Sequence, residues 1–292
     1  MDALLALFAP LAEFGFMRRA LAGCVALSLG CAPLGVFLLL RRMSLTGDAM
    51  AHAVLPGAAI GYLLAGLSLP AMTAGGVLAG LLVAAASGLA ARATALHEDA
   101  SLAAFYLISL ALGVLIISVR GSNVDLLHVL FGTVLALNDA TLALLMCTAL
   151  LTLAALALLY RPLVLECLDA QFLRAAGSPR ASALAHYGLL ALMVLNLVAG
   201  FHALGTLMAV GILVLPAATA RLWVRRVPAL MALATLLALA GCLAGLLASY
   251  HLDWPASPAI VLAHGAAYAA SLLAGRHGLL RPRRQARRHL QR

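Results

Sequence analysis

Residues 47–57 read GDAMAHAVLPG and place a carboxylate and an imidazole inside an apolar run of membrane length. Asp48 and His52 are four residues apart, so on a helix they share one face, with Cβ atoms about 5–6 Å apart. A charged side chain at bilayer depth is costly and marks a functional site by default. A carboxylate and an imidazole at this separation can share one divalent cation. Pro56 lacks the N–H that would bond the His52 carbonyl, so that oxygen is left for a ligand, a water or a neighbouring helix.

The composition places this stretch in a membrane protein. The chain has 292 residues, of which 65% are hydrophobic and 10% charged, and its mean hydropathy is +1.08. Soluble domains average about 25% charged residues. We therefore predict an all-α, polytopic membrane helical bundle that forms a single transmembrane domain over residues 1–292. Asp2 and Glu13 are acidic and no basic residue occurs before Arg18, so we expect no cleaved signal peptide.

Nine apolar runs come close to the ~20 residues that a spanning helix needs, which predicts about 8–9 transmembrane helices. The runs cover residues 20–40, 49–67, 70–91, 101–119, 140–160, 183–200, 204–222, 229–250 and 258–274. The segment 124–137 is too short for an ordinary span and could be a tilted span, a re-entrant helix or a surface helix.

Small residues recur every four positions along the second run, at Ala49, Ala53, Gly57, Gly61 and Ala65. Such a stripe allows another helix to approach closely. The stripe runs beside the Asp48/His52 row. The second helix is therefore predicted to pack inside the bundle, with its polar row facing a cavity.

The basic residues predict the orientation of the spans. All nineteen are arginine, and the net charge is +9. If Arg41 and Arg42 are cytoplasmic and the spans alternate, only Arg18, Arg19 and Arg120 fall outside, in keeping with the positive-inside rule. The external loops are then 66–69, 121–139, 201–203 and 251–257. The N-terminus is predicted outside and the basic tail 276–292 in the cytoplasm. We expect the arginines to set orientation and not to bind nucleic acid.

Further acids and imidazoles lie near the predicted membrane boundaries. Glu98 and Asp99 begin the fourth run on the same side as Asp48, although a helix N-terminus also favours acids through its macrodipole. On the external side, Asp125, His128, His202, His251 and Asp253 come from three loops. If they converge, they attract a divalent cation and pass it inward. The alternative is that they are ordinary solvated loop residues.

The longest polar internal segment covers residues 165–180. Asp169 can cap the start of a short helix, and Gly177 can end it. Phe172 and Leu173 lie on its apolar face. Two interpretations remain open, a helix lying on the lipid surface and a docking helix for a cytoplasmic partner.

Catalytic motifs are absent from the sequence. It contains no HExxH and no GxSxG. It also contains no Walker A motif, so the chain does not hydrolyse ATP by that route.

Four stretches together resemble the membrane subunit of zinc and manganese ABC importers. The first, residues 40–57, reads LRRMSLTGDAMAHAVLPG, and the third, residues 211–220, reads GILVLPAATA; these two are the specific ones. The others are DLLHVLFG at 125–132 and DWPASPAIVL at 253–262. Two departures from the family pattern are Thr133, where Asn or Asp is common, and Ser257, where Gly is common.

The resemblance implies a type II-like ABC importer permease in a bacterial inner membrane. It implies a homodimer of permeases on two ATP-binding subunits, supplied by a periplasmic or lipoprotein metal-binding protein. It further implies that Asp48 and His52 line the ion path, that Asp99 and Asp125 contribute, and that the helix at 166–177 couples to the ATPase.

We therefore expect a permease that moves a divalent transition metal into the cytoplasm and holds no permanent cofactor. Zn²⁺ is favoured over Mn²⁺ because several imidazoles lie along the candidate path. The ion has to leave again, so it must be bound weakly or at several sites. Two alternatives remain, an importer of a metal chelate or siderophore, and an intramembrane hydrolase that uses zinc at Asp48/His52.

Overall fold

The computed structural model describes residues 9–43, 45–66, 68–94, 98–119, 137–168 and 179–277. Within these ranges every regular element is a helix, which confirms the predicted all-α class. The ten helices are α1 Gly15–Leu40, α2 Thr46–Ala53, α3 Leu55–Ala65, α4 Leu69–Ala93, α5 Glu98–Val119, α6 Asp139–Leu168, α7 Pro179–Leu204, α8 Thr206–Arg221, α9 Val227–Leu252 and α10 Ala256–Ala274.

The nine predicted apolar runs coincide with these ten helices when α2 and α3 are counted as one helical unit. Seven helical units of the described residues are long and apolar enough to cross a membrane, with α2 and α3 counted as one unit. The two remaining runs match the shorter apolar stretches 100–116 in α5 and 206–221 in α8. Of the short segment 124–137, residues 124–136 lie outside the described residues.

The second predicted helix is broken at Val54, which separates α2 from α3. Pro56 lies at the start of α3, and its missing N–H and its ring disrupt the helical hydrogen bonds just before it. The hydroxyl of Ser109 on α5 donates to the Ala53 carbonyl oxygen at 2.9 Å. A neighbouring helix therefore satisfies one of the carbonyl groups that the break releases.

Successive helices alternate in direction, so their ends gather at two opposite faces of the bundle. At the face predicted to be external, Arg19 Nη2 lies 3.4 Å from Asp139 Oδ1. At the same face, the Ser257 hydroxyl donates to the Leu204 carbonyl oxygen at 2.9 Å. The starts of α1 and α6 therefore lie at the same face as the α7–α8 and α9–α10 turns.

At the opposite face, Arg41 after α1 forms a hydrogen bond with His186 near the start of α7. The backbone N–H of His277 donates to the Leu222 carbonyl oxygen at 2.9 Å, which joins the ends of α8 and α10. This grouping of helix ends agrees with the predicted alternation. That this face is the cytoplasmic one stays a prediction.

The central helices are α1 and α7. Buried residues make up 78% of the apolar window in α1 and 72% of that in α7, against 22% in α4. The α2–α3 unit is intermediate at 61%. The predicted packing of its small-residue stripe is confirmed, because a Cβ on Gly57 would lie 2.0 Å from the Gly75 carbonyl oxygen on α4.

Candidate metal site

Asp48 and His52 lie one turn apart on α2, as their spacing predicts. His52 Nε2 is 3.8 Å from Asp48 Oδ1, and the side chains are 27% and 62% exposed, respectively. A cation about 2.1 Å from both atoms would see them at an angle of roughly 130°, wider than tetrahedral but within reach of a small side-chain adjustment. The pair can therefore supply two ligands to one ion.

The pair opens into a cavity of about 500 Å³ between α2, α8 and α10. Its titratable lining residues are Asp48 and His52, and the rest of the wall is almost entirely aliphatic. The other lining residues are Leu45, Ala51, Thr206, Leu207, Val210, Gly211, Val214, Leu215 and Val261. Two polar side chains on an apolar wall concentrate any cation at a single point. The cavity that the sequence predicted beside the polar row is present.

The His52 ring packs against Tyr106 of α5. The two ring centroids are 6.4 Å apart and the planes are inclined by 28°. His52 Nδ1 is buried and has no hydrogen-bond partner among the described residues. Together with Ser109, which binds the Ala53 carbonyl, Tyr106 makes α5 the support of the site. Neither residue was predicted from the sequence, although a polar pair three positions apart in an apolar run was a usable signal.

Three of the predicted external residues, His202, His251 and Asp253, lie in the described part of the chain, and they do not form a compact site there. Among the described residues, no three His, Cys, Asp or Glu side chains are placed to hold a metal ion. His202 Nδ1 lies 2.8 Å from the Val198 carbonyl oxygen, and its Nε2 is buried without a partner. His251 and Asp253 are exposed at the α9–α10 turn. Asp125 and His128 lie outside the described residues.

Glu98 and Asp99 begin α5, and Tyr106 lies two turns further along the same helix. Tyr106 and Ser109, which lie later in α5, contact His52 and Ala53, respectively. Both acids therefore lie towards the end of α5 that is nearer Asp48. The predicted coupling residues Asp169, Phe172, Leu173 and Gly177 lie outside the described residues.

These features define a class of protein. A bundle of membrane-spanning helices that keeps a carboxylate–imidazole pair on the wall of an otherwise apolar cavity has the arrangement expected of a permease.

Sequence comparison supports this class and gives the family. Residues 13–275 match the ABC 3 transport family. The chain belongs to this family and is a transport component, not an enzyme, which excludes the intramembrane hydrolase.

Curated relatives carry names from metal transport. The chain is 33% identical over 256 residues to "Manganese transport system membrane protein MntC" of Halalkalibacterium halodurans, covering 87% of this chain and 86% of the relative. It is 29% identical over 273 residues to "Chelated iron transport system membrane protein YfeD" of Yersinia pestis, covering 94% and 90%.

A solved structure has the same fold. A chain of "PsaBC from Streptococcus pneumoniae in complex with Fab" aligns with a TM-score of 0.82 at 29% identity, over 95% of this chain and 97% of that one. The type II-like permease architecture that the resemblance implied agrees with this match.

Proposed function

We propose that this chain is the permease subunit of an ATP-driven importer of a divalent transition metal ion. The observation that carries the proposal is the Asp48/His52 pair, held 3.8 Å apart on the wall of a cavity within the apolar bundle. Its two donor atoms can bind a small cation, while the aliphatic wall offers few other polar contacts to a larger solute. No Phe, Tyr or Trp lines the described part of the cavity, which favours a free ion over a metal chelate.

The functional unit that fits this site is a homodimer. The Asp48 side chain is 62% exposed on a helix at membrane depth, and a carboxylate there does not face lipid. A second copy related by a two-fold axis would cover the cavity and present its own Asp48 and His52. Two copies then supply four ligands, whereas one copy supplies two.

The energy source has to be another chain, because this sequence has no Walker A motif. We propose an ATP-binding subunit at the cytoplasmic face, contacted through residues 165–180, and a metal-binding protein or lipoprotein at the external face. The predicted inner-membrane orientation, with the N-terminus outside and the tail 276–292 inside, places each partner at its own face.

We propose manganese as the first ion to test, with zinc and iron(II) as competitors. The expectation of zinc depended on several imidazoles along the path, whereas the described part of the cavity contains one, His52. Carboxylate oxygens suit Mn²⁺ and imidazole suits zinc and iron, so a site with one carboxylate and one imidazole favours zinc less than a site with several imidazoles would. The names of the curated relatives, which mention manganese and chelated iron, support the same order.

We further propose that the ion is first captured at the external mouth of the permease. His202 is the described residue that best suits it, because its Nε2 is buried without a partner near the α7–α8 turn, from which Thr206 reaches the cavity wall. Asp125, His128, His251 and Asp253 remain candidates for the same step.

The test is metal uptake into proteoliposomes that contain the permease and its ATPase, with radioactive manganese, zinc or iron(II) at buffered free concentrations. Asp48→Asn and His52→Ala should each lower uptake of the cargo metal at least about tenfold, because even outer-shell partners of metal ligands cost 10–100-fold. Asp139→Asn and His277→Ala make the same chemical changes at exposed residues outside the cavity and serve as matched controls. Uptake by both cavity variants at the level of the controls would reject the site.

A further inference from the structure

A second group of charged side chains lies at the face of the bundle opposite the external turns. Arg41 follows α1, Glu166 lies in the last turn of α6, and His186 lies on α7. Glu166 and His186 are 6% and 8% exposed, respectively. Glutamate is almost never this buried unless it is paired, so the contacts of Glu166 need an explanation.

The hydrogen bonding of this group leaves one donor atom and one acceptor atom without a partner among the described residues. An Nη2 hydrogen bond joins Arg41 to His186. Arg41 Nη1 and Glu166 Oε2 are both buried, and neither has a hydrogen-bond partner among the described residues. One is a donor on a cation and the other an acceptor on an anion. Cys167, the residue after Glu166, has its Sγ 4.0 Å from the Phe37 carbonyl oxygen, one turn before Arg41, so the ends of α1 and α6 are in contact. Closing the pair would require a relative movement of α1 and α6.

A rigid turn connects this group to the candidate metal site. The N–H of Arg42 donates to the Leu39 carbonyl oxygen at 3.1 Å, and the N–H of Met43 donates to that of Leu38 at 2.9 Å. With Arg42 at φ 60°, these two bonds form the Schellman motif that closes a helix. The N–H of Thr46 then donates to the Met43 carbonyl oxygen at 3.1 Å, at the start of α2. These backbone hydrogen bonds link the end of α1 to the start of α2, and Asp48 lies seven residues after Arg41.

We propose that Arg41, Glu166 and His186 form a charged joint that transmits movement of the α6 and α7 ends to the Asp48/His52 pair. The joint rests on the function proposed above, since residues 169–178, between these two helices, belong to the segment assigned to the ATPase. The Arg41–Glu166 ion pair is open in this structure and closes in the alternate state of the transport cycle. An element with two discrete arrangements is what such coupling requires. All three are positioning residues and do not touch the ion.

The test uses the complete transporter in proteoliposomes and measures metal imported per ATP hydrolysed. Arg41→Gln and Glu166→Gln should each lower this ratio roughly tenfold, within the range typical of coupling between sites. The amount of ATPase that co-purifies should stay unchanged, because the joint transmits movement and does not bind the partner. Arg42→Gln removes the same charge from the adjacent, exposed residue and should behave as wild type.

A double-mutant cycle separates a joint from two unrelated defects. The Arg41→Gln/Glu166→Gln double variant should be no worse than either single variant, and Arg41→Glu combined with Glu166→Arg should recover part of the ratio. Losses that multiply in the double variant, or single variants that match Arg42→Gln, overturn the proposal. If the neutral variants aggregate, Arg41→Lys and Glu166→Asp can be used instead, because they keep both charges and change the lengths of the side chains. A wild-type ratio of metal imported to ATP hydrolysed for both variants would also overturn the proposal.

A crosslinking measurement keeps this inference distinct from the proposed function. Leu40→Cys provides a thiol one residue before Arg41, near the native Cys167, and leaves Arg41 and Glu166 intact. The yield of the disulfide between these two thiols, formed with an added copper–phenanthroline oxidant, should change when ATP is added to the complex. If the wild type imports no metal, the proposed function fails, and the crosslink still reports whether the joint moves. A yield that is the same with and without ATP overturns the joint even where metal uptake is normal.

Discussion

A close backbone contact at Gly57, five residues after His52, makes a quantitative prediction for Gly57→Ala. A Cβ at Gly57 would lie 2.0 Å from the Gly75 carbonyl oxygen and 2.6 Å from the Ala79 Cβ. Both neighbours belong to α4, and the nearer one is main chain, so no side-chain rotation can relieve the clash. Since Cβ contacts below 3.0 Å essentially do not occur, α3 and α4 have to separate by about 1 Å or more.

The cost of that separation follows from a matched comparison. Overpacking a well-packed contact costs typically 1–3 kcal/mol, and a main-chain obstacle places Gly57→Ala at about 2–3 kcal/mol. Replacing glycine by alanine within a helix also gains up to about 1 kcal/mol from backbone propensity. Gly265→Ala, within α10, adds the same methyl group with nothing within 4 Å of it. The propensity gain is common to both variants, so the difference between them isolates the packing cost.

The measurement is the free energy of unfolding of the purified permease in mixed detergent micelles, titrated with a denaturing detergent. Gly57→Ala should be about 2–3 kcal/mol less stable than Gly265→Ala, and Gly265→Ala should equal or exceed the wild type. Equal stability of the two variants would show that α3 and α4 do not pack backbone to backbone, and the assignment of the small-residue stripe to that contact would be wrong.

Two further predictions concern the support of the site and the partner. Ser109→Ala leaves the Ala53 carbonyl beside the helix break without its donor, so the permease should lose about 1–3 kcal/mol of unfolding free energy; an unchanged value in the same detergent titration would contradict the role of that hydrogen bond. Phe172→Glu and Leu173→Glu should weaken binding of the ATPase without preventing membrane insertion, and co-purification of the ATPase in unchanged amount with both variants would argue for a helix that only lies on the lipid surface.

The fold was largely predictable because the bilayer imposes a simple rule on the sequence. Each span needs a long apolar run, and the bundle contains one helical unit for each predicted run. The break at Val54 was not predicted at that position. Pro56 indicated that the helix would be disturbed nearby. The position of the break, however, depends on Ser109, which lies 56 residues after Ala53 and donates to its carbonyl oxygen.

The candidate site was predictable only in its local part. Asp48 and His52 are one turn apart on the same helix, so their spacing was sufficient to pair them. The remaining walls of the cavity come from α8 and α10, and no spacing rule connects those helices with α2. Convergence of the external residues likewise depended on loop positions, and the exposed His251 and Asp253 show no compact site with His202 in the described part of the chain.

A pair of ligands that is incomplete in one copy suits the function proposed for it. A transported ion has to be held firmly enough to arrive and weakly enough to leave. A carboxylate and one imidazole on a largely apolar wall bind an ion poorly alone, and two such pairs bind it better when two copies bring them together. In the proposed homodimer, the affinity for the ion then depends on the distance between the two Asp48/His52 pairs, which a movement of α2 can change. A joint at Arg41, a rigid turn beyond it and a metal pair on the next helix are the parts that such a mechanism requires from each copy.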